Sequence, residues 1–211
     1  MSNKTETRER LAQKLRTRAA LLSAARDLVA QGHAPTVADV ADAANVSRAT
    51  AYRYFTRQEE LLAEVPLDEA APTIASLFGE NAPTDPEDRV ALVQNALYDL
   101  SRDHETEFRL FLRTSVTRTL RDTNGTPDPF RGARRTALLA EALTPLSNEL
   151  TADQIEQLKM ALAMLVGTEP MIVLRDVLRL EHDQARSIGE WAVRQLVRAA
   201  RQNPAGPRTP S

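Results

Sequence analysis

The chain has 211 residues, 42% of them hydrophobic and 27% charged, a formal charge of −2 and no cysteine. That length and apolar content support one small and one medium domain with a real core, and the missing thiols exclude disulfides, thiolate catalysis and cysteine metal sites. No apolar run is expected to approach the roughly 20 residues that span a bilayer, and the opening MSNKTETRER lacks a signal-peptide core, so a cytoplasmic location is expected.

Charge is unevenly distributed. Residues 1–58 hold ten Lys and Arg against five acids, a balance of +5 that leaves −7 for the remainder. A basic amino-terminal part attracts a phosphate backbone, and an acidic remainder limits indiscriminate binding. Residues 1–17 form a basic arm. Arg10, Lys14 and Arg18 recur every four residues, which gives a cationic stripe if the first helix extends upstream and a solvated, frayed arm if it does not.

The segment TVADVADAANVSRATAYRYFTRQEELL, from Thr36 to Leu62, reads as two short helices joined by a tight turn and followed at once by a third. Thr36 opens the first as a cap, with Asp39 three residues on to complete a capping box. Val37, Val40, Ala41 and Ala44 fall at i, i+3, i+4 and i+7, so one face is buried. Asn45 stands where the chain must turn, and asparagine tolerates the left-handed backbone that such a stop requires. Ser47 caps the second helix. Its inward set is Ala51, Tyr54 and Phe55, and its outward or border set is Arg48, Ala49, Thr50, Tyr52 and Arg53.

The outward set combines cations, hydroxyls and one small residue, which suits phosphate oxygens, base edges and a thymine methyl. Tyr54 is expected to pack with its hydroxyl at the surface, so Tyr52 is the stronger candidate for DNA contact. Thr56 and Glu59 read as a further capping box, starting a helix near Arg57 whose positive dipole end can meet a phosphate.

This run resembles the DNA-binding domain of the TetR (tetracycline repressor-like) family of bacterial transcriptional regulators, over about Arg18 to Val65. RAALLSAARDLVAQG is similar to the family's first helix, TVADVADAA to the second, NVSRATAYRYF to the turn and recognition helix, and TRQEELLAEV to the start of the connecting helix. The resemblance implies DNA contacts from Thr36, Ser47, Arg48, Ala49, Thr50, Tyr52, Arg53, Tyr54, Arg57 and Gln58. Three positions depart from the pattern: Asn45 replaces a turn glycine, Ala51 a larger aliphatic, and Gln58 a phosphate-contacting lysine that Arg57 can stand in for.

Beyond Val65 the pattern remains helical, so the fold class is all-α: a three-helix helix-turn-helix domain over residues 18–62, then a helical domain over 63–201, which the resemblance implies is the effector-binding and dimerisation domain. Helices are expected over 57–78, with Pro66 and Pro72 as interruptions, then 87–102, 105–121, 130–143, 153–179 and 184–201. GENAPTDP and DTNGTPDP read as loops, and residues 202–211 as a disordered tail. Ile155, Leu158, Leu162, Leu165, Ile172, Val173, Val177 and Leu180 form one apolar stripe, and Ile188, Trp191, Ala192, Leu196 and Ala199 another. Two such helices supply half of a four-helix bundle that a second subunit completes. The resemblance implies the same, a homodimer joined through its last two helices, with Val173, Val177, Ile188, Trp191, Ala192, Leu196 and Ala199 as interface candidates.

A pocket for a small-molecule effector is expected among the middle helices. Phe108, Phe111, Leu112, Met160 and Met164 offer an adaptable apolar lining, and Tyr98, His104, Arg113 and Thr117 polar handles. The same side chains at helical spacing also suit an ordinary core. The family logic is a palindrome read by two recognition helices and released when the effector favours mismatched heads, usually as repression.

Two other classes compete. An all-helical enzyme is disfavoured, because His33, His104 and His182 are scattered and there is no phosphate loop or nucleophile elbow; no cofactor or metal is expected. The alternative is a helical ligand-binding or protein-interaction module without sequence-specific DNA binding, which Ala51 and Gln58 keep open.

Overall fold

The computed structural model describes residues 2–121 and 132–203. These residues are helices and connecting turns, with no strand among them. They fall into two compact units, one of residues up to Ala70 together with those from His104 to 121, the other of Ala71–Asp103 together with those from Gly132 onward.

The first unit opens on α1 (Ser2–Ala30), so the basic arm is helical and continuous with the first helix. It ends at Gly32, whose φ of 84° lies in the left-handed region that glycine enters without strain. α2 (Val37–Ala43), α3 (Arg48–Tyr54) and α4 (Gln58–Glu69) follow. Leu21, Leu22 and Ala25 of α1 meet Val37, Val40 and Ala41 of α2, Ala51 of α3, Phe55, and Leu61 and Val65 of α4 in one core. Ala44, Val46 and Tyr54 pack at its margin, so the inward positions expected of both short helices lie inward.

Further on, α7 (Glu105–Arg121) packs along α4 within this unit. Arg18 departs from the expected cationic stripe: Arg10 and Lys14 are exposed, whereas Arg18 turns inward, pairs with the buried Glu64 and lies 5.6 Å from the Phe55 ring centroid.

The second unit contains α5 (Ile74–Leu77), α6 (Pro86–Asp103), α8 (Ala133–Ala142), α9 (Ala152–Ala163), α10 (Thr168–Ile172) and α11 (His182–Gln202). α6 starts at an Asp-Pro step, where Asp85 accepts from the N–H groups of Glu87 and Asp88 at 2.9 and 3.3 Å. Arg89 of α6 closes the carboxyl end of α8: its guanidinium donates to the carbonyls of Ala142 at 3.2 Å and Glu141 at 2.9 Å and lies over the Phe78 ring at 4.2 Å. Tyr98, Met171 and Ala185 form a small buried cluster edged by Leu174 and Leu180.

Three helix expectations are corrected. The stretch 57–78 is two helices, because the chain leaves α4 at Ala70 and residues before Pro72 are pushed away from helical geometry, whereas Pro66 stays inside α4. The stretch 153–179 is broken at Gly167, whose φ of 104° is closed to helix and to most other residues. A π-helical turn, Val173–Val177, then ends that stretch. Thr56 does not pair with Glu59: its N–H and hydroxyl donate to Glu60 at 3.1 and 2.9 Å, and α4 starts one residue later than expected.

The membrane-length expectation is also corrected, since Ala152–Val177 is long and apolar enough by composition to reach a bilayer span. It is the same stretch that Gly167 divides. The loop DTNGTPDP, Phe130 and the tail from Pro204 lie outside the described residues.

Candidate nucleic-acid interface

α2 and α3 are too short to persist alone, so their ends have to be satisfied locally and their inner faces held by α1 and α4. At the start of α2, Thr36 Oγ1 accepts from the Asp39 N–H at 3.2 Å, while the Asp39 carboxylate accepts from the Thr36 N–H at 2.8 Å and from its hydroxyl at 2.7 Å. These bonds, the hydroxyl first, hold the Asp39 carboxyl below the usual aspartate range. Thr36 is exposed, but its hydroxyl is already engaged in the cap.

Between the helices Asn45 takes φ 53°, the left-handed turn expected of it, and the Val46 N–H returns to the Ala41 carbonyl at 2.9 Å. Ser47 then caps α3. Its Oγ accepts from the Thr50 N–H at 3.2 Å and its hydroxyl donates to Thr50 Oγ1 at 2.8 Å.

Ala51 and Phe55 close the inner face of α3 completely, and Tyr54 is half-buried beside them. Arg48, Ala49, Tyr52 and Arg53 are exposed, and Thr50 is half-buried at the border. The ridge expected to meet DNA therefore stands in solvent on a fixed base. Arg57 is exposed at the start of α4, and the half-buried Gln58 donates its amide to the Ala34 carbonyl at 3.1 Å. Gln58 thus ties the connection before α2 to α4, and Arg57 is the cation left at that helix start.

Arg48 has a partner on α2. Its Nη2 donates to Asp42 Oδ2 at 2.6 Å and its Nε to Oδ1 at 3.3 Å. The guanidinium lowers the Asp42 carboxyl below its ordinary range, and the carboxylate in turn favours the charged arginine. Sequence reasoning missed Asp42, Glu60 and the Arg18–Glu64 pair. Asp42 and Arg48 are six residues apart, a spacing that signals contact only once the turn between α2 and α3 is drawn.

The expected effector residues fall in both units. His104, Phe108, Phe111, Leu112, Arg113 and Thr117 lie on or just before α7; the first four are half-buried, Arg113 is exposed, and the Thr117 hydroxyl donates to the Arg113 carbonyl at 2.8 Å. In the second unit Tyr98 is closed, its hydroxyl bonded to the His182 carbonyl at 3.1 Å, whereas Met160 and Met164 stand in solvent. A surface hollow of about 360 Å³ lies in the first unit between α1 and the end of α2, lined by residues including Ser23, Asp27, Gln31 and Ala44, and none of the expected effector residues borders it.

The interface candidates are at the surface. Val173 and Val177 are exposed on the π-helical turn, Ile188, Trp191 and Ala199 are exposed on α11, and Ala192 and Leu196 are half-buried there. Trp191 retains 63% exposure, large for the one tryptophan in the chain.

Residues 21–65, from the first α1 core leucine through most of α4, match the family model described as bacterial regulatory proteins, tetR family. The amino-terminal domain is that of the tetR family. No curated protein matches the chain. The tetR-family match assigns a DNA-binding transcriptional regulator and accounts for the helix-turn-helix order of α2 and α3.

Proposed function

We propose that the protein is a ligand-responsive transcriptional repressor that binds a palindromic operator as a homodimer and is released by a small-molecule effector. The observation that carries this reading is the ridge of Arg48, Tyr52 and Arg53, exposed on a helix whose other face is sealed by Ala51 and Phe55. The seven others expected at the DNA follow as proposed contacts in decreasing directness: Ala49 and Thr50 beside the ridge, Arg57 at the start of α4, and Thr36, Ser47, Tyr54 and Gln58 as the residues that brace them.

One short recognition helix covers too little of a duplex, and twofold pairing lets two helices read successive major grooves. The apolar surface of α11 around Ile188 and Trp191 supports pairing there. For effector control, α7 is the element of interest: it carries Phe108, Phe111 and Leu112 and packs along α4, which leads directly out of the recognition helix. A ligand that prefers one placing of α7 then biases α4, and with it the spacing of the two DNA-reading heads. In this reading residues 18–62 bind DNA, residues 63–201 take the effector and pair, and the protein works in the cytoplasm.

Selection of the full-length protein against a random duplex pool tests the proposal. A twofold-symmetric site should emerge, and Tyr52→Ala or Arg53→Ala should abolish its capture. With about six to ten phosphate contacts, affinity should fall roughly a thousandfold or more between about 50 and 200 mM salt. Failure to enrich any site even at low salt would favour a helical ligand-binding or interaction module.

A further inference from the structure

Arginine has five N–H donors arranged along two usable edges of its planar guanidinium. Asp42 occupies one edge of Arg48, through Nε and Nη2, and leaves the edge formed by the Nη1 and remaining Nη2 hydrogens uncommitted to it. Both side chains are largely in solvent, at 64% and 58% exposure, so nothing in the core dictates this pairing. Asp39, the other carboxylate on this helix, is committed to Thr36. Arg48 is the first residue of α3, and it is the amino-terminal part of a recognition helix that meets base edges.

We propose that Asp42 is a positioning residue that sets sequence specificity, holding Arg48 so that its free fork reads a guanine in each operator half-site. The inference rests on the DNA-binding reading above. Guanine is the base whose major-groove edge offers two adjacent acceptors, O6 and N7; adenine replaces one of them with a donor. A guanidinium fixed along one edge presents two parallel N–H groups along the other, matched to those acceptors and to no other base edge. The carboxylate adds discrimination of a second kind. It repels phosphates and offsets the charge of Arg48, so this arginine contributes little to sequence-independent attraction. Exposed in free protein the pair is weak, and at a dehydrated groove the same geometry becomes stronger.

The test compares site selection and binding by the full-length wild type, Asp42→Asn and Arg48→Lys, with folding of each checked by circular dichroism. Wild type should enrich a symmetric site with guanine at one position per half. Asp42→Asn should retain the symmetric site but lose about five- to a hundredfold of the preference for guanine there, while affinity for random duplex rises and its salt dependence steepens. Arg48→Lys, which keeps the charge without the fork, should erase the same guanine preference. If Asp42→Asn raises affinity for all sequences alike and leaves base preference unchanged, Asp42 only quenches charge and the proposal is wrong. A symmetric site with no guanine sensitive to Arg48→Lys overturns it too, and leaves the regulator reading intact. If the wild type enriches no site, both readings fall together.

Discussion

Ser101 and Thr168 share a hydroxyl–hydroxyl hydrogen bond of 2.9 Å in the interior of the carboxy-terminal unit, joining α6 to the first residue of α10. They are 1% and 4% exposed, so neither hydroxyl can turn to solvent instead. Removing one partner strands the other, which costs about 1–3 kcal/mol, whereas removing both leaves nothing unsatisfied. Ser101→Ala and Thr168→Val should each lower the denaturation midpoint, and the double variant should be more stable than their sum predicts. Strict additivity in urea melts would mean that the bond is not a coupled unit.

The ion pair behind the recognition helix should be less forgiving. Glu64 is buried and Arg18 covers both it and the Phe55 ring. Arg18→Ala leaves the carboxylate uncompensated, at a cost of about 3 kcal/mol or more, and Glu64→Gln in the same chain should recover much of the loss. Calorimetry of the two variants reads this directly, and a mild effect of Arg18→Ala would show that water reaches Glu64.

Acid should loosen the structure through three carboxylates. Asp39 is held below its usual range by Thr36, Asp42 by Arg48, and Glu190 chiefly by the Asn95 amide, with Arg194 assisting. A depressed folded-state value means the group favours folding above its unfolded pKa, about 3.9 for Asp and 4.3 for Glu, and loses that contribution as pH falls through the folded value. Tm should therefore fall as pH drops below about 4, and Asp39→Asn, Asp42→Asn and Glu190→Gln should each flatten that acid limb. An unchanged slope in all three would place the acid sensitivity elsewhere.

Trp191 tests the proposed pairing surface. Trp191→Glu puts a charge into the middle of the exposed α11 face without touching its buried side, formed by Ala185, Gly189, Val193 and Val197. The variant should sediment as a monomer at micromolar concentration and bind operator more weakly, with helix content unchanged. A dimer that survives this substitution pairs through another surface.

The helix-turn-helix was legible in the sequence because its signals are local. Thr36, Asn45 and Ser47 each act on a backbone group within five residues, and their caps and turn stand where the spacing puts them. Misplaced boundaries have equally local causes: Glu60 rather than Glu59 receives Thr56, and Gly167 breaks a run whose apolar periodicity continues past it. What the sequence did not disclose are contacts made across the fold. Arg89 closing α8 and Gln58 reaching Ala34 join residues dozens of positions apart, and no spacing rule pairs them. The expected effector set mixed α7 with Tyr98 and two exposed methionines because periodicity identifies a helix face without saying what stands opposite.

Along α11, arginines meet α6 and its approach in strict reverse order: Arg186 with Asp99, Arg194 with Asp88, Arg198 with Glu87 and Arg201 with Asp85, while Glu190 receives Asn95 between the first two. Each contact alone is weak. Together they work like the teeth of a rack, since a shift of either helix by one turn would misalign all of them at once. Sliding α11 along α6 therefore breaks all of these contacts together, whereas tilting it needs to break only those at one end.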